Sequence, residues 1–188
     1  MKIQILRAWG FLGLFFILFS CQNSETALVK ISGKTMGTTY HISYTPFTSG
    51  ASNAQDVQKE VDIILERVND LMSTYRAESQ LSVFNTSKSL SPFKIDNSFF
   101  KVVDLAQEIS TLSNGAFDIT VGPIVNLWGF GPSRKTSIPT DLELSKWRSK
   151  VGFDKLSLDN KKLTIKKSNP DVYIDLSAIA KGYGVDLV

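Results

Sequence analysis

The sequence predicts an α+β fold of mixed, largely antiparallel sheets with packed helices. Three observations point to it. Between Gln55 and Tyr75 the apolar residues recur in steps of three and four, the mark of an amphipathic helix. Leu156, Leu158, Leu163 and Ile165 alternate around Asp159-Asn160, as in a hairpin with one buried face. The order of elements is strands, then helices, then strands again, unlike the regular alternation of a parallel βαβ fold.

The first segment, residues 1–20, reads as a lipoprotein signal peptide. Lys2 and Arg7 form a positive n-region, and Ala8 to Phe19 is an almost unbroken apolar run. A spanning helix needs roughly 20 apolar residues, so the run suits an export signal better than a membrane span. It ends in Leu18-Phe19-Ser20-Cys21, which resembles the bacterial lipobox, where the cysteine is acylated and the bond before it is cut. Phe19 is bulkier than the residue usual at its place. Cys21 is the only cysteine of the chain, so no internal disulfide can form, and a free thiol outside the cytoplasm is a liability. That favours lipidation over a plain cleaved signal or an uncleaved anchor. Residues 21–30 are then the lipidated cysteine and its polar tether, and 31–188 the body. The expected location is outside the cytoplasm, lipid-anchored on the periplasmic or outer face of a bacterial membrane. Gln22, rather than Asp, after the cysteine leans towards outer-membrane sorting.

With 188 residues and 43% hydrophobic content, the chain can bury one core. Setting aside Lys2 and Arg7 leaves 21 − 2 = 19 basic residues against 18 acidic ones. Such a balance builds no basic stripe, which excludes nucleic acid as a partner.

Along the body, Leu28 to Ser32 and Thr38 to Tyr44 read as strands flanking a turn at Gly33-Lys34, and Thr45 to Asn53 as a loop. In the helix from Gln55 to Tyr75, Val57, Val61, Ile64, Leu65, Val68, Leu71 and Met72 share a face. A second helix, Ser98 to Ser113, has Asp96 or Asn97 as its cap and Gly115 past its end. Its apolar face is Phe99, Val102, Val103, Ala106, Ile109 and Leu112. Asp141 to Lys150 reads as a short surface helix. Val172 to Leu176 reads as a strand leading into a helical segment that Ser177 caps.

Four stretches are richer in glycine, aromatics and carboxylates than packing requires. In Met36-Gly37-Thr38-Thr39-Tyr40, Gly37 lets backbone approach a ligand and Met36 offers a polarizable contact, or else fills the core at a strand start. Leu71-Met72-Ser73-Thr74-Tyr75-Arg76 ends a helix, and its Tyr75 suits a ligand or an ordinary wet surface equally. In Gly115-Ala116-Phe117-Asp118-Ile119-Thr120-Val121-Gly122-Pro123, Asp118 is a lone carboxylate among apolar neighbours and needs strong partners if buried. The following Leu127-Trp128-Gly129-Phe130-Gly131-Pro132 is a bendable aromatic loop, suited to wall a pocket for a planar ligand or to plug a core corner. Fourth, Asp175-Leu176-Ser177-Ala178-Ile179-Ala180-Lys181-Gly182-Tyr183 places a strand end against a helix start. There the N–H groups of Ala178 to Ala180, with Lys181, suit an anion or a nucleotide diphosphate. The spaced glycines of a Walker loop are missing.

As an ordered set these stretches resemble the ApbE family, the FAD:protein FMN transferases once called thiamine-biosynthesis lipoproteins. The likeness runs from about Ile31 to the last residue, and the lipobox is shared by many members. The resemblance implies an ApbE-like fold and an enzyme that uses Mg²⁺ to split FAD and place FMN on a Thr or Ser of an acceptor protein. By position it makes Met36, Tyr75, Ala116, Phe117, Asp118, Asp175 and Lys181 FAD contacts. It makes Ala178 a magnesium ligand, through the backbone carbonyl that is its only available oxygen. The implied acceptors are exported flavoprotein subunits of membrane redox complexes, and a homodimer is left open. Family members are longer than this chain. The acidic and hydroxyl side chains that complete their metal site, and a His-containing segment, lie beyond the position matching Val188. The catalytic residues are therefore expected downstream, and the chain is expected to be the N-terminal part of the domain, inactive by itself. A non-catalytic flavin-binding lipoprotein is the alternative. His41 sits in a predicted strand and reads as an ordinary strand residue.

Overall fold

The computed structural model describes residues 28–46, 53–132 and 137–188. The signal segment and Cys21 lie outside these, as does most of the loop expected before the first helix. Among the described residues, no helix is long and apolar enough to cross a membrane.

The fold is α+β, with antiparallel sheets as expected. Strands β1 (Val29–Thr35) and β2 (Thr38–Tyr44) pair from Val29 with Tyr44 to Thr35 with Thr38. The strand expected over Leu28 to Ser32 thus starts at Val29 and runs on to Thr35, taking in Val29 and Lys30 of the segment read above as tether. The turn lies at Met36-Gly37 and not at Gly33-Lys34. Both turn residues are left-handed, with φ 49° and 72°, which is the mirror-image geometry that lets a two-residue loop follow the twist of a hairpin. Gly33 instead lies flat under a ring: a Cβ there would fall 2.6 Å from Tyr40.

Helix α1 (Ala54–Met72) is capped by Asn53, whose side chain accepts the Asp56 N–H. The expected periodicity holds, with Val61, Leu65, Val68 and Met72 buried. Its first half packs on the hairpin through Ile31, Val61 and Leu65. Gln58 Nε2 donates to the Ser32 carbonyl at 2.9 Å, and the Tyr40 hydroxyl donates to Asp62 at 2.6 Å. The second half of α1 enters the main core.

That core is closed by α2 (Gln80–Thr86), α3 (Asn97–Leu112) and a three-stranded antiparallel sheet in the order β3 (Phe93–Lys94), β5 (Thr164–Lys167), β4 (Leu156–Asp159). Asp96 caps α3 by accepting the Ser98 N–H at 2.7 Å. Two expectations for buried faces need correction. Leu112 is 77% exposed, because α3 ends beside it, and Phe100 and Ser110 are buried in addition. The hairpin loop of β4 and β5 spans Asn160 to Leu163, not the dipeptide Asp159-Asn160. Leu163 takes φ 49° and only half-buries its side chain. Helix α4 (Gly122–Leu127) buries Gly122, Pro123 and Leu127, α5 (Asp141–Arg148) buries none of its residues, and α6 (Ala180–Leu187) packs on α1. A full capping box of Thr140 and Glu143 starts α5.

Val172 to Leu176 corrects the expectation most instructively. Its alternation is real, since Val172, Ile174 and Leu176 are all fully buried, yet it is not a strand of either sheet. Its backbone pairs with a side chain. Asn85 donates through Nδ2 to the Ile174 carbonyl and accepts the Ile174 N–H at Oδ1, both at 2.8 Å. One carboxamide therefore satisfies both groups of a buried residue, as a neighbouring strand would.

Candidate functional site

An open cleft of about 930 Å³ lies where four segments meet: the hairpin tip Lys34 to Thr39, the C-terminal part of α1 through Arg76, the Phe130 loop, and Ser177 to Lys181. Each wall has a local cause. The left-handed turn thrusts Met36 inward, where its side chain packs against both hydrophobic clusters and reaches Gly184 of α6. The two readings of Met36 merge, since it lines the cleft and closes the core beneath it.

At the end of α1 the chain makes a tight polar turn. The Ser73 carbonyl accepts the hydroxyls of Ser79 and Ser82, and the Tyr75 N–H donates to Ser73 Oγ at 3.1 Å. This leaves the Tyr75 ring 68% exposed over the cleft. Its hydroxyl donates to the Phe130 carbonyl at 3.2 Å, tying the α1 end to the aromatic loop. Arg76, next to it, is held by Glu66 and Asp70, both at 2.7 Å. The hydrogen bond and charge of Arg76 hold the Glu66 carboxyl below its ordinary range. Both side chains are well solvated, so the pair orients Arg76 more than it stabilises the fold. Lys34 and Lys181 also line the cleft, and their ammonium groups make no hydrogen bond or ion pair among the described residues.

The two aspartate loops are joined to each other, and Ser177, held by Asp175, lines the cleft. Asp118 takes the N–H and the hydroxyl of Thr120, each at 2.7 Å, and Thr120 Oγ1 accepts the Gly152 N–H at 2.7 Å. Those are the strong partners that its apolar neighbourhood demanded. Asp175 repeats the device, accepting the N–H and hydroxyl of Ser177. The Asp175 N–H donates to the Ile119 carbonyl at 2.8 Å, which joins the two loops. Gly122 is required at this junction: a Cβ there would stand 2.5 Å from the Tyr173 ring and 3.2 Å from Asp175 Cβ. Ser177 is thus engaged by Asp175 and does not cap α6. The first N–H groups of that turn, at Ile179 and Ala180, go to the Leu176 carbonyl. The expected free N–H cradle at Ala178 to Ala180 is, in two of its three positions, already closed.

Of the residues singled out in the sequence, Met36, Tyr75 and Lys181 come together in the cleft. Asp118 and Asp175 form the neighbouring loop pair, and Ala178 is exposed on the turn that follows Asp175. Phe117 packs against the core, while Ala116 is exposed. His41 is an exposed residue of β2 paired with Ser32. Asn85, which fixes the segment carrying Asp175, had no signal beyond being a polar residue on the buried side of a short helix.

As for a metal, no group of three or more His, Cys, Asp or Glu side chains converges among the described residues. The donors around Ala178 are a backbone carbonyl, a carboxylate and a hydroxyl. An all-oxygen set of this kind suits a hard cation such as Mg²⁺ and does not suit a soft metal.

The ApbE family model matches residues 36–188. A FAD:protein FMN transferase of Haemophilus influenzae is 45% identical over 175 residues, covering 91% of this chain and 50% of its own length. One of Vibrio cholerae is 47% identical over 161 residues, covering 85% and 47%. Among solved structures, the Vibrio cholerae flavin transferase ApbE superposes with a TM-score of 0.82 at 46% identity, covering 86% of this chain and 52% of its own. The apo form of the Pseudomonas stutzeri flavinyl transferase ApbE superposes at 0.78 with 32% identity, covering 86% and 51%. The chain spans about half the length of the curated relatives it matches.

Proposed function

The chain belongs to the ApbE family, and we propose that it forms the flavin-nucleotide part of a Mg²⁺-dependent FAD:protein FMN transferase. The observation that carries this reading is the convergence of Met36, Tyr75 and Lys181 in one cleft from three remote segments. These are residues that the family resemblance makes FAD contacts, and of the three only Met36 is also held in place by core packing.

In the reaction, the hydroxyl of an acceptor Thr or Ser attacks the phosphorus of the FMN half of FAD. The bond from that phosphorus to the AMP oxygen breaks, AMP departs, and the hydroxyl proton passes to a base. What these residues contribute is binding and orientation. Tyr75 and Met36 offer an aromatic face and a polarizable thioether to a ring. Lys181, unpaired in the cleft, supplies a positive charge for the pyrophosphate. The Asp118 and Asp175 loops, each closed by its own Thr or Ser, hold in place the turn that carries Ser177 and Lys181 into the cleft. Ala178 would hold Mg²⁺ through its carbonyl, and the ion, when bound, offsets negative charge on the pyrophosphate oxygens.

The acceptors on this reading are exported flavoproteins of membrane redox complexes. Acylation of Cys21 would keep the enzyme on the same membrane face as they are. The test uses the complete protein with FAD, Mg²⁺ and such an acceptor. Covalently attached FMN and released AMP are expected; if neither appears, the reading is wrong. Cys21→Ala is expected to release the protein from membranes without altering flavin affinity.

A further inference from the structure

Lys167, the last residue of β5, buries its whole side chain. It is 1% exposed and has no carboxylate within ion-pair reach among the described residues. A buried ammonium must place three N–H bonds. Two of them find carbonyls: Nζ donates to Phe84 at 3.1 Å and to Val172 at 3.4 Å. The face of the Phe84 ring, its centroid 4.7 Å from Nζ, is the third partner. Burial, and then the charge of Lys88, push the Lys167 pKa below its ordinary value. The charge of Asp171 opposes that shift, but its carboxylate is already held by Lys88 and Lys150. A core position that only needed filling would take an apolar side chain of the same length more easily than a cation.

The two carbonyls join separate parts of the fold. Phe84 lies in the last turn of α2, where carbonyls have no further turn to satisfy them. Val172 opens the segment that runs to Leu176 and belongs to neither sheet. Asn85, the residue after Phe84, pairs with both backbone groups of Ile174. Lys167 and Asn85 thus hold this segment at alternate residues, the spacing at which a neighbouring strand would hold it. The next residue is Asp175, whose carboxylate closes the turn that brings Ser177 and Lys181 to the cleft.

We propose that Lys167 is a positioning residue for the cleft: through the Val172 carbonyl its buried ammonium sets, together with Asn85, the placement of Asp175 and of the turn that follows. Lys167 does not itself meet the ligand. The effect on ligand binding rests on the cleft being a flavin-nucleotide site, whereas the hold on the segment does not.

The test compares the complete protein with Lys167→Met, Asn85→Ala and the double variant. Lys167→Met keeps an unbranched stem, removes a buried charge and gives up two hydrogen bonds. These changes oppose one another, so the melting temperature is expected to move by less than about 4 °C. Amide hydrogen exchange is read residue by residue. Ile174 and Asp175 are expected to exchange about tenfold faster in Lys167→Met, while Ile165 of β5 stays within about twofold. FAD affinity, measured by calorimetry, is expected to fall about fivefold. The double variant is expected to bind FAD within about twofold of Asn85→Ala alone, because both residues hold one segment. Equal acceleration at Ile165 and Ile174 overturns the proposal, since it marks a general loss of stability. Unchanged FAD affinity in Lys167→Met overturns it too, and fully additive losses overturn the shared hold. Should Lys167→Met not fold, the wild type decides: its Ile174 and Asp175 amides are expected to exchange as slowly as that of Ile165, and exchange more than about a hundredfold faster overturns the proposal. If the wild type binds neither FAD nor FMN, the flavin-site reading fails, and the exchange pattern alone upholds or overturns the hold on Asp175.

Discussion

Replacing Asn85 by Ala is expected to be among the most damaging single changes that spare the hydrophobic core. Asn85 is 7% exposed, and its carboxamide is the partner of both backbone groups of Ile174, whose side chain is 0% exposed. Truncation leaves a buried N–H and a buried carbonyl unpaired. Each costs about 1–3 kcal/mol, and partial relaxation brings the sum to about 2–4 kcal/mol. With a urea dependence near about 3 kcal/mol per molar, the unfolding midpoint of the complete protein should fall by about 1 M. Asn85→Asp sharpens the test. It keeps the acceptor for the Ile174 N–H but sets a carboxylate against the Ile174 carbonyl. It should destabilise at least as much at neutral pH and recover in part when acid protonates the carboxyl. Because Ile174 leads directly into Asp175, flavin affinity should fall with stability in both variants. A midpoint shift below about 0.2 M for Asn85→Ala would show that Ile174 finds other partners, and the reasoning would fail.

Other expectations follow from the same structure. Gly122→Ala should cost about 1–3 kcal/mol in thermal unfolding, since its methyl group overlaps Tyr173 and displaces Asp175; an unchanged melting temperature would contradict the junction described. Asp171 is held at about 2 by its hydrogen bonds to Lys150 and Lys88. A carboxyl depressed in the folded state stabilises above its ordinary value near 3.8 and loses that contribution as pH falls to about 2. Asp171→Asn should accordingly flatten the acid limb of a stability–pH profile. Tyr40 is pushed up to about 12 by partial burial, then by its hydrogen bond to Asp62 and the charge of that carboxylate. Its stabilising contribution is complete below pH 10.0 and is lost as pH rises to about 12. Tyr40→Phe should remove that alkaline loss, and a spectrophotometric titration of the phenol checks the pKa directly.

Elements with strong local signals were legible in the sequence, and those set by a distant partner were not. The periodicity of Val61, Leu65, Val68 and Met72 and the cap at Asp96 are properties of neighbouring residues, so α3 falls where expected and α1 does too, except that it ends at Met72 and not at Tyr75. The Met36-Gly37 turn was misplaced because Gly33 is the more obvious punctuation. Its glycine is needed instead by the Tyr40 ring, a contact across the hairpin. Val172 to Leu176 alternates like a strand because it is buried like one. Only the position of Asn85, remote in sequence, decides that a side chain serves as its neighbour. Helix α2 escaped notice because it has only 7 residues, although Ser79 caps it. The site followed the same division. Each stretch was visible as unusual composition, while the hydrogen bond from the Asp175 N–H to the Ile119 carbonyl, which joins two of them, belongs to the tertiary fold.

The cleft draws its walls from Lys34 at one extreme and Lys181 at the other. A ribosome releases the chain from its N-terminus, so the hairpin tip, the α1 end and the Phe130 loop all emerge before the last wall exists. No nascent chain that stops short of Lys181 can grip a ligand with the whole cleft. Ligand capture thus waits for the last of these walls, and when it comes it fastens segments far apart in the sequence together. Any compound that fills the cleft should therefore favour the finished fold over partly built ones, by the mass action of binding only the native state.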